Sequence, residues 1–160
     1  MSETRPLSAV ASISFLVRED PLEPYVFDVA QQLGQHFPEV GGVVTFTGRV
    51  RNHHNGRVVT ALEYSVYPEL AQFEGERIVQ EGLSRFGLIY AHAAHRVGPV
   101  PIGEVAVWVL AGGAHRQESF SACRWIIDEI KKTVPVWKHE WYGDGHDEWI
   151  LGNPGSESER

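Results

Sequence analysis

The chain is poor in cysteine, since Cys123 is the single one in 160 residues. It has no partner for an internal disulfide, which is typical of proteins from a reducing compartment. Long apolar runs are missing too, because the longest, residues 105–111, is far shorter than the roughly 18 residues of a membrane-spanning helix. The apolar stretch at residues 7–17 is diluted by serines and lacks a cleavage site after it, so we find no export signal. These absences predict a cytoplasmic protein.

Basic residues are scarce, since 14 lysines and arginines face 21 aspartates and glutamates and give a net charge of −7. This balance argues against a general nucleic-acid binder and against a polybasic protein of the membrane surface, because both need a basic field. With 42% hydrophobic and 22% charged residues, the chain has a globular composition. We predict a single domain over residues 1–152 and a flexible tail over residues 153–160, which are rich in serine and glutamate.

The spacing of apolar residues predicts three helices and several strands. A recurrence every three or four positions predicts helices over residues 22–37, 68–86 and 115–132. Alternation and β-branched residues predict strands over residues 11–17, 43–51, 58–66, 88–97, 104–111, 136–142 and 148–151. We expect residues 104–111, apolar on both faces, in the centre of a sheet, and a hairpin between residues 43–51 and 58–66. Mixed helices and hairpins indicate an α+β fold with a mostly antiparallel sheet.

A local basic segment interrupts the acidic chain. Residues 41–60 hold three arginines and two histidines but no acidic residue, which predicts a site for an anionic small molecule. The two-residue period of a strand places Arg49 and Arg51 on one face, where paired guanidiniums would suit a phosphate or a carboxylate. An exposed strand face with solvated arginines is the alternative explanation of the same pattern.

Cations also stand at both ends of the third predicted helix. His115 and Arg116 begin it, where positive side chains oppose the helix dipole but a bound anion would be favoured. The alternative is that Glu118, in the same turn, simply offsets Arg116. Lys131 and Lys132 end the helix, where cations complement the dipole, so at least one of them needs no further function to explain it.

Lys138 lies on a predicted strand among aromatic residues. Alternation places Lys138 and Glu140 on one face of this strand and Trp137, His139 and Trp141 on the other. Apolar surroundings can lower the pKa of a lysine and make it a base or a nucleophile. The alternative is a lysine whose aliphatic stem covers a tryptophan while its amine reaches water.

No metal or cofactor motif is found. The eight histidines include no HxxxH pair, and no CxxC, GxGxxG, Walker or GxSxG motif occurs. Cys123 lies on an apolar helix stripe, which predicts a core residue. We therefore expect neither a metal site nor a bound cofactor.

Five groups of segments between about residue 41 and residue 150 together form a recognisable pattern. They are GVVTFTGRVRNH at 42–53, LEY at 62–64 with Tyr67-Pro68, HRVG at 95–98, AHR at 114–116 and VPVWKHE at 134–140. In these residues and in this order, the segments resemble the catalytic, or large, subunit of molybdopterin synthase. The first and the last are long and specific, whereas residues 1–40 match in general character alone.

The resemblance implies an α/β-hammerhead-like fold and a sulfurtransferase that acts in molybdenum cofactor biosynthesis. In this family the substrate is cyclic pyranopterin monophosphate and the product is molybdopterin. Two sulfurs come from the thiocarboxylated C-terminal Gly-Gly of a small ubiquitin-like subunit, whose tail enters a pocket of the large subunit. Two large subunits form a central homodimer in a heterotetramer, and neither nucleic acid nor membrane is a partner.

The resemblance also implies site residues, position by position. Lys131 and Lys138 are the catalytic candidates, for proton transfer or for a transient bond to the carbonyl of the tail. Arg51, His115 and Arg116 would neutralise the phosphate of the substrate and the charge of the tail. The implied substrate-binding positions are Arg49, Val50, Arg51, His115, Arg116, Lys131, Lys138, His139 and Glu140.

Two other functions are compatible with parts of the pattern. One is a paralogue that binds the pterin or the partner without catalysis. The retention of both Lys131 and Lys138 argues against this function. The other is a hydrolase of small phosphate esters with His115 as base, for which the sequence offers no clear nucleophile. Ser65, Leu70 and His139 depart from residues common in relatives, which bears on fine substrate contacts.

Overall fold

The described part of the chain forms three helices and nine strands, with the helices set between groups of strands. The computed structural model describes residues 11–151, so the predicted tail at 153–160 lies outside the described residues. The helices are α1 (Leu22–His36), α2 (Pro68–Phe86) and α3 (Arg116–Thr133). The strands are β1 (Ile13–Arg18), β2 (Gly42–Arg49), β3 (His53–His54), β4 (Arg57–Val66), β5 (Tyr90–Arg96), β6 (Gly98–Pro99), β7 (Val105–Gly113), β8 (Val136–Tyr142) and β9 (Asp147–Leu151).

The first sheet has the strand order β1-β5-β7-β2. β1 and β5 are parallel, and the other two pairs are antiparallel. β7 is buried along its whole length, which confirms the prediction of a central strand covered on both faces. On one face Leu22 and Leu33 of α1 pack around Trp108, and on the other Ile78 of α2 and Ile126 of α3 share a core.

The second sheet has the order β3-β4-β8-β9, with β6 also paired to β4. This arrangement shows that the predicted hairpin between residues 43–51 and 58–66 is wrong, because β2 pairs with β7 and β4 pairs with β8. The chain leaves the first sheet after a register shift at Arg49, and the Val50 amide donates to the Glu104 carbonyl at 3.0 Å. The tight turn at Asn55 and Gly56, with φ of 50° and 74°, joins β3 to β4 instead.

The architecture confirms an α+β fold with mostly antiparallel sheets. α2 packs closely on β1 at Gly75, because any side chain there would overlap the ring of Phe15. Within residues 11–151, no helix is both long enough and apolar enough to cross a membrane.

Two buried histidines lie on β5, next to the central strand. His92 is 3% exposed and His95 is 8% exposed. The Nδ1 of His92 lies 2.6 Å from the Ser14 hydroxyl, and its buried Nε2 meets no protein partner among the described residues. Burial lowers the pKa of both His92 and His95 from 6.5 to about 4, because the charged imidazolium loses its hydration.

These histidines predict a loss of stability in mild acid. Between pH 6.5 and 4 the unfolded chain binds a proton at each imidazole and the folded chain does not. The free energy of unfolding therefore decreases as the pH is lowered through this range. We expect a loss of up to about 3 kcal/mol for each histidine, measured by urea denaturation between pH 7 and pH 4.5. The His92→Asn variant should show a shallower pH dependence. A free energy of unfolding that stays constant over this range would contradict the burial argument.

Candidate active site

Strand β8 presents two chemically different faces. Its inward face carries Val136, Lys138, Glu140 and Tyr142, and its outward face carries Trp137, His139 and Trp141. On the inward face Lys138 is the accessible member, with 22% of its side chain exposed. This division confirms the alternation predicted from the sequence and brings a lysine and a carboxylate to one side of the sheet.

Glu140 is a buried carboxylate, 3% exposed, that accepts hydrogen bonds from three side chains. Its Oε1 lies 3.0 Å from Lys138 Nζ, and its Oε2 lies 2.7 Å from His54 Nδ1 and 2.8 Å from the Tyr142 hydroxyl. Burial disfavours the charge, but the bonds from His54, Lys138 and Tyr142 outweigh it and hold the pKa of Glu140 below its usual range. We call these four residues the Glu140 cluster.

Tyr64 and His95 extend the Glu140 cluster toward the end of α3. Tyr64 lies opposite Lys138 in the β4–β8 pair, and its ring meets His95 edge-on with centroids 5.0 Å apart. Burial and the negative charge of the cluster raise the pKa of Tyr64 to about 12, and Arg51 opposes this shift. Burial and, more weakly, the charge of Lys131 lower the pKa of His95 to about 4. Arg51 therefore acts on Tyr64 and Lys131 acts on His95, so both cations are within electrostatic reach of the Tyr64–His95 pair that adjoins the cluster.

This arrangement can bind an anion and move a proton. Arg51 and Lys131 are exposed, so their positive charges are available to a phosphate or a carboxylate. Lys138 is partly exposed while its carboxylate partner is buried, so a bound substrate could reach the amine without displacing Glu140. The amine can then donate a proton or a hydrogen bond to a reacting group.

His139 lies on the opposite face of β8 from the Glu140 cluster. Its ring is stacked between Trp141 and Trp149, with centroid distances of 3.8 Å and 4.2 Å. Its Nε2 lies 2.6 Å from a carboxylate oxygen of Asp147. Within one chain, this predicted substrate contact therefore does not join Lys138 and Glu140.

His115 and Arg116 lie at the opposite end of α3 from Lys131. The helical rise separates Arg116 from Lys131 by roughly 22 Å along the axis. The Ser119 hydroxyl donates to the Gly42 carbonyl at 2.8 Å, which ties the start of α3 to the start of β2. A single chain therefore does not bring these two predicted anion-binding residues to the Glu140 cluster.

Arg49 and Arg51 do not share a strand face, because β2 ends at Arg49. Arg49 acts electrostatically on the Glu23 carboxylate of α1, whereas Arg51 acts on Tyr64 in the second sheet. Val50, between them, is buried at 4% exposure and belongs to the core. The predicted pair of guanidiniums is thus divided, and Arg51 is the member beside the Glu140 cluster.

Metal ligands and a reactive thiol are the two other features relevant to chemistry. In the part of the chain that the structure describes, no group of three or more His, Cys, Asp or Glu side chains could hold a metal ion. Cys123 is buried in the core, as its helix stripe predicted, and burial raises its pKa to about 11. The thiol therefore stays protonated at neutral pH and is a poor nucleophile.

Known proteins are similar to this chain both in sequence and in fold. A family model described as MoaE protein matches residues 19–133. A molybdopterin synthase catalytic subunit from Pyrococcus abyssi is 46% identical over 113 residues, which cover 71% of this chain and 76% of that protein. The chain belongs to the MoaE family. As a member of this family of molybdopterin synthase catalytic subunits, it is an enzyme subunit of molybdenum cofactor biosynthesis.

Solved structures agree with the MoaE assignment. A molybdopterin biosynthesis MoaE protein from Burkholderia ambifaria superposes with a TM-score of 0.74 at 26% identity, over 91% of this chain and 93% of that chain. A chain from a Helicobacter pylori complex of subunits 1 and 2 of molybdopterin-converting factor has the same fold, with a TM-score of 0.68 at 18% identity over 92% and 94% of the two chains.

The MoaE match and the cluster overlap in part. The match ends at residue 133, before β8, so it includes Arg51 and Lys131 but not Lys138 or Glu140. His54 and Tyr142 are absent from the predicted site residues, although both bond to Glu140. His54 falls in a segment predicted as a turn, and no local pattern indicates its partner 86 positions away.

The burial of Cys123 predicts an unreactive thiol in the folded MoaE chain. We expect no reaction with a disulfide reagent such as DTNB under native conditions, and one thiol per chain after denaturation in urea, measured by absorbance. Rapid stoichiometric reaction of the folded protein would show that the thiol is accessible.

Proposed function

We propose that this chain is a sulfurtransferase that converts cyclic pyranopterin monophosphate to molybdopterin. Two sulfurs come from the thiocarboxylated C-terminus of a small ubiquitin-like subunit. The observation that supports this function is the partly exposed Lys138 amine, held 3.0 Å from a buried carboxylate, with the exposed cations Arg51 and Lys131 acting on the neighbouring Tyr64–His95 pair. Such a site suits a phosphate-bearing substrate and the carbonyl end of a peptide tail.

The chain has no group of its own to carry the sulfur. Cys123 is its single cysteine, and a buried, protonated thiol cannot accept and pass on a persulfide. The sulfur must therefore arrive on another molecule. A thiocarboxylated tail meets this need, because it delivers the sulfur on a flexible segment that can enter a pocket.

The two lysines differ in their surroundings, which suggests different roles. Lys138 is paired with Glu140 and is 22% exposed, so its amine is held in a fixed position for proton transfer or for a transient bond to the tail carbonyl. Lys131 is exposed at the end of α3 and lies near His95. We assign Lys131 to the charge of the substrate or the tail, together with Arg51.

We also propose that the working site needs a second copy of the chain. His115 and Arg116 stand roughly 22 Å from Lys131 along α3, too far to touch the same small substrate within one chain. A homodimer that apposes the start of α3 in one copy with the Glu140 cluster of the other would complete the cation set. The small subunit then binds each copy, as in a heterotetramer.

Replacement of the lysines tests the catalytic assignment. In Lys138→Ala, product formation at saturating thiocarboxylated partner should fall by about 100-fold or more, the range for loss of an acid–base group. In Lys131→Ala it should fall by about tenfold or more, the range for loss of a charge-assisted contact. Lys132→Ala is the matched control, because Lys132 is exposed and pairs with Glu129 at 4.0 Å instead of facing the cluster. Full turnover in either site variant would remove that lysine from the mechanism.

Mixed dimers test the second copy in the same assay. A dimer is purified from one chain that carries Lys131→Ala and Lys138→Ala and another that carries His115→Ala and Arg116→Ala. If the site is shared, one of its two sites is intact and the mixed dimer regains about half of the wild-type turnover, although each variant homodimer is inactive. If each chain works alone, the mixed dimer stays inactive.

A further inference from the structure

The three donors around Glu140 compete for one negative charge. Lys138 occupies Oε1, whereas His54 and Tyr142 both approach Oε2. Each hydrogen bond withdraws electron density from the carboxylate, so a strong donor at Oε2 weakens the hold of Oε1 on the lysine amine. The availability of Lys138 therefore depends on what binds Oε2.

The Tyr142 hydroxyl has two carboxylate acceptors, Glu140 and Glu148. It lies 2.8 Å from Glu140 and 2.9 Å from Glu148, and its single proton serves one carboxylate at a time. The ring is also covered by the Arg57 guanidinium at 3.7 Å, which fixes its plane without changing this division. Tyr142 alone therefore leaves Oε2 without a constant donor.

His54, in contrast, directs its Nδ1 to Glu140 alone among the described residues. Its Nδ1 lies 2.7 Å from Glu140 Oε2, and the structure gives that nitrogen no second acceptor among residues 11–151. The side chain is 17% exposed, so water competes weakly for the bond. The neighbouring His53 is exposed and turns to Asn52 at 3.0 Å, so the β3–β4 hairpin delivers one histidine to the cluster and leaves the other outside.

We infer that His54 is a positioning residue for Lys138 and acts through Glu140. By holding Oε2, it keeps the carboxylate in one orientation and takes up part of its charge, so that the Lys138 amine stays in place but available to the substrate. This inference rests on the proposed role of Lys138 in sulfur transfer. It adds a residue of β3 to a site otherwise built from β8 and its neighbours.

Other charged and titratable groups also face the cluster. They are Tyr64 on β4 and Glu148 on β9, together with Arg51 before β3, which acts on Tyr64, and Lys131 on α3, which acts on His95. Substitution of His54 changes none of these groups chemically. A variant that restores a donor to Oε2 therefore separates the bond with Glu140 from their influence on Lys138.

Two variants separate the hydrogen bond from the volume of the side chain. His54→Leu fills similar space without a donor, and His54→Asn places an amide nitrogen near the position of Nδ1. His146→Ala is the matched control, since His146 lies on the neighbouring β8–β9 turn and contacts Asp144 instead of Glu140. Thermal unfolding of all variants identifies any that fail to fold.

The reactivity of Lys138 is the direct readout. Reductive methylation with formaldehyde, quantified by peptide mass spectrometry, reports the availability of each amine, with the exposed Lys132 as internal reference. In His54→Leu we expect Lys138 to label about fivefold more slowly relative to Lys132, as the loss of one charged hydrogen bond implies. We expect a matching fall in kcat with little change in KM, and recovery of both in His54→Asn.

The outcomes distinguish this inference from the proposed function. Unchanged or faster labelling of Lys138 in His54→Leu overturns the inference, because faster labelling means that the hairpin has merely loosened. If Lys138→Ala is inactive in that case, the proposed function still stands. If Lys138→Ala keeps full turnover, the proposed role of Lys138 fails, while the labelling experiment still decides whether His54 controls the amine.

Discussion

The negative charge of Glu140 is the group on which the candidate site depends. A carboxylate that is 3% exposed has lost nearly all of its hydration, and it persists in the charged form because three donors replace the water. The donors come from β3 and β8, so the charge also ties these two strands of the second sheet to each other. Loss of a single donor would leave a buried charge partly unsatisfied, which costs several kcal/mol in comparable networks (roughly 3–5).

Helix α3 connects this charge to the rest of the molecule and also limits what one chain can do. Its C-terminal end carries Lys131 within electrostatic reach of His95, while its N-terminal end is fixed to β2 by Ser119 and Gly42. His115 and Arg116 are held with that end. The stiffness of one helix thus separates the cations into two groups, and this separation is the physical reason to propose a site shared between two copies.

Local patterns allowed much of the fold and part of the site to be predicted. The two apolar faces of β7 identified the central strand, and the alternation along β8 placed Lys138 and Glu140 together, away from Trp137 and His139. The basic segment already indicated Arg51, and resemblance to a known family supported it and gave Lys131 a role. In the structure Arg51 acts on Tyr64 and Lys131 acts on His95, whose rings are in contact.

Two predictions failed and one contact was missed, because each depends on how distant segments pair in the folded chain. The expected hairpin rested on sequence proximity, but β2 joins β7, more than fifty positions further along the chain. The pairing of Arg49 with Arg51 assumed a continuous strand, which a register shift ends. The bond between His54 and Glu140 spans 86 positions, so only the assembled second sheet shows that this turn histidine belongs to the site.

The central claim is that the charge of Glu140 organises the site, and Glu140→Gln tests it most directly. Glutamine keeps the size of the side chain, but its amide nitrogen replaces one acceptor oxygen by a donor. That nitrogen faces the donors that surround Glu140, and the neutral amide gives Lys138 no counter-charge. We predict that turnover with thiocarboxylated partner falls at least about tenfold, whereas Glu81→Gln, which changes a carboxylate on α2 that pairs with Arg77 and Arg85, keeps wild-type turnover. A folded Glu140→Gln protein with full turnover would contradict the account.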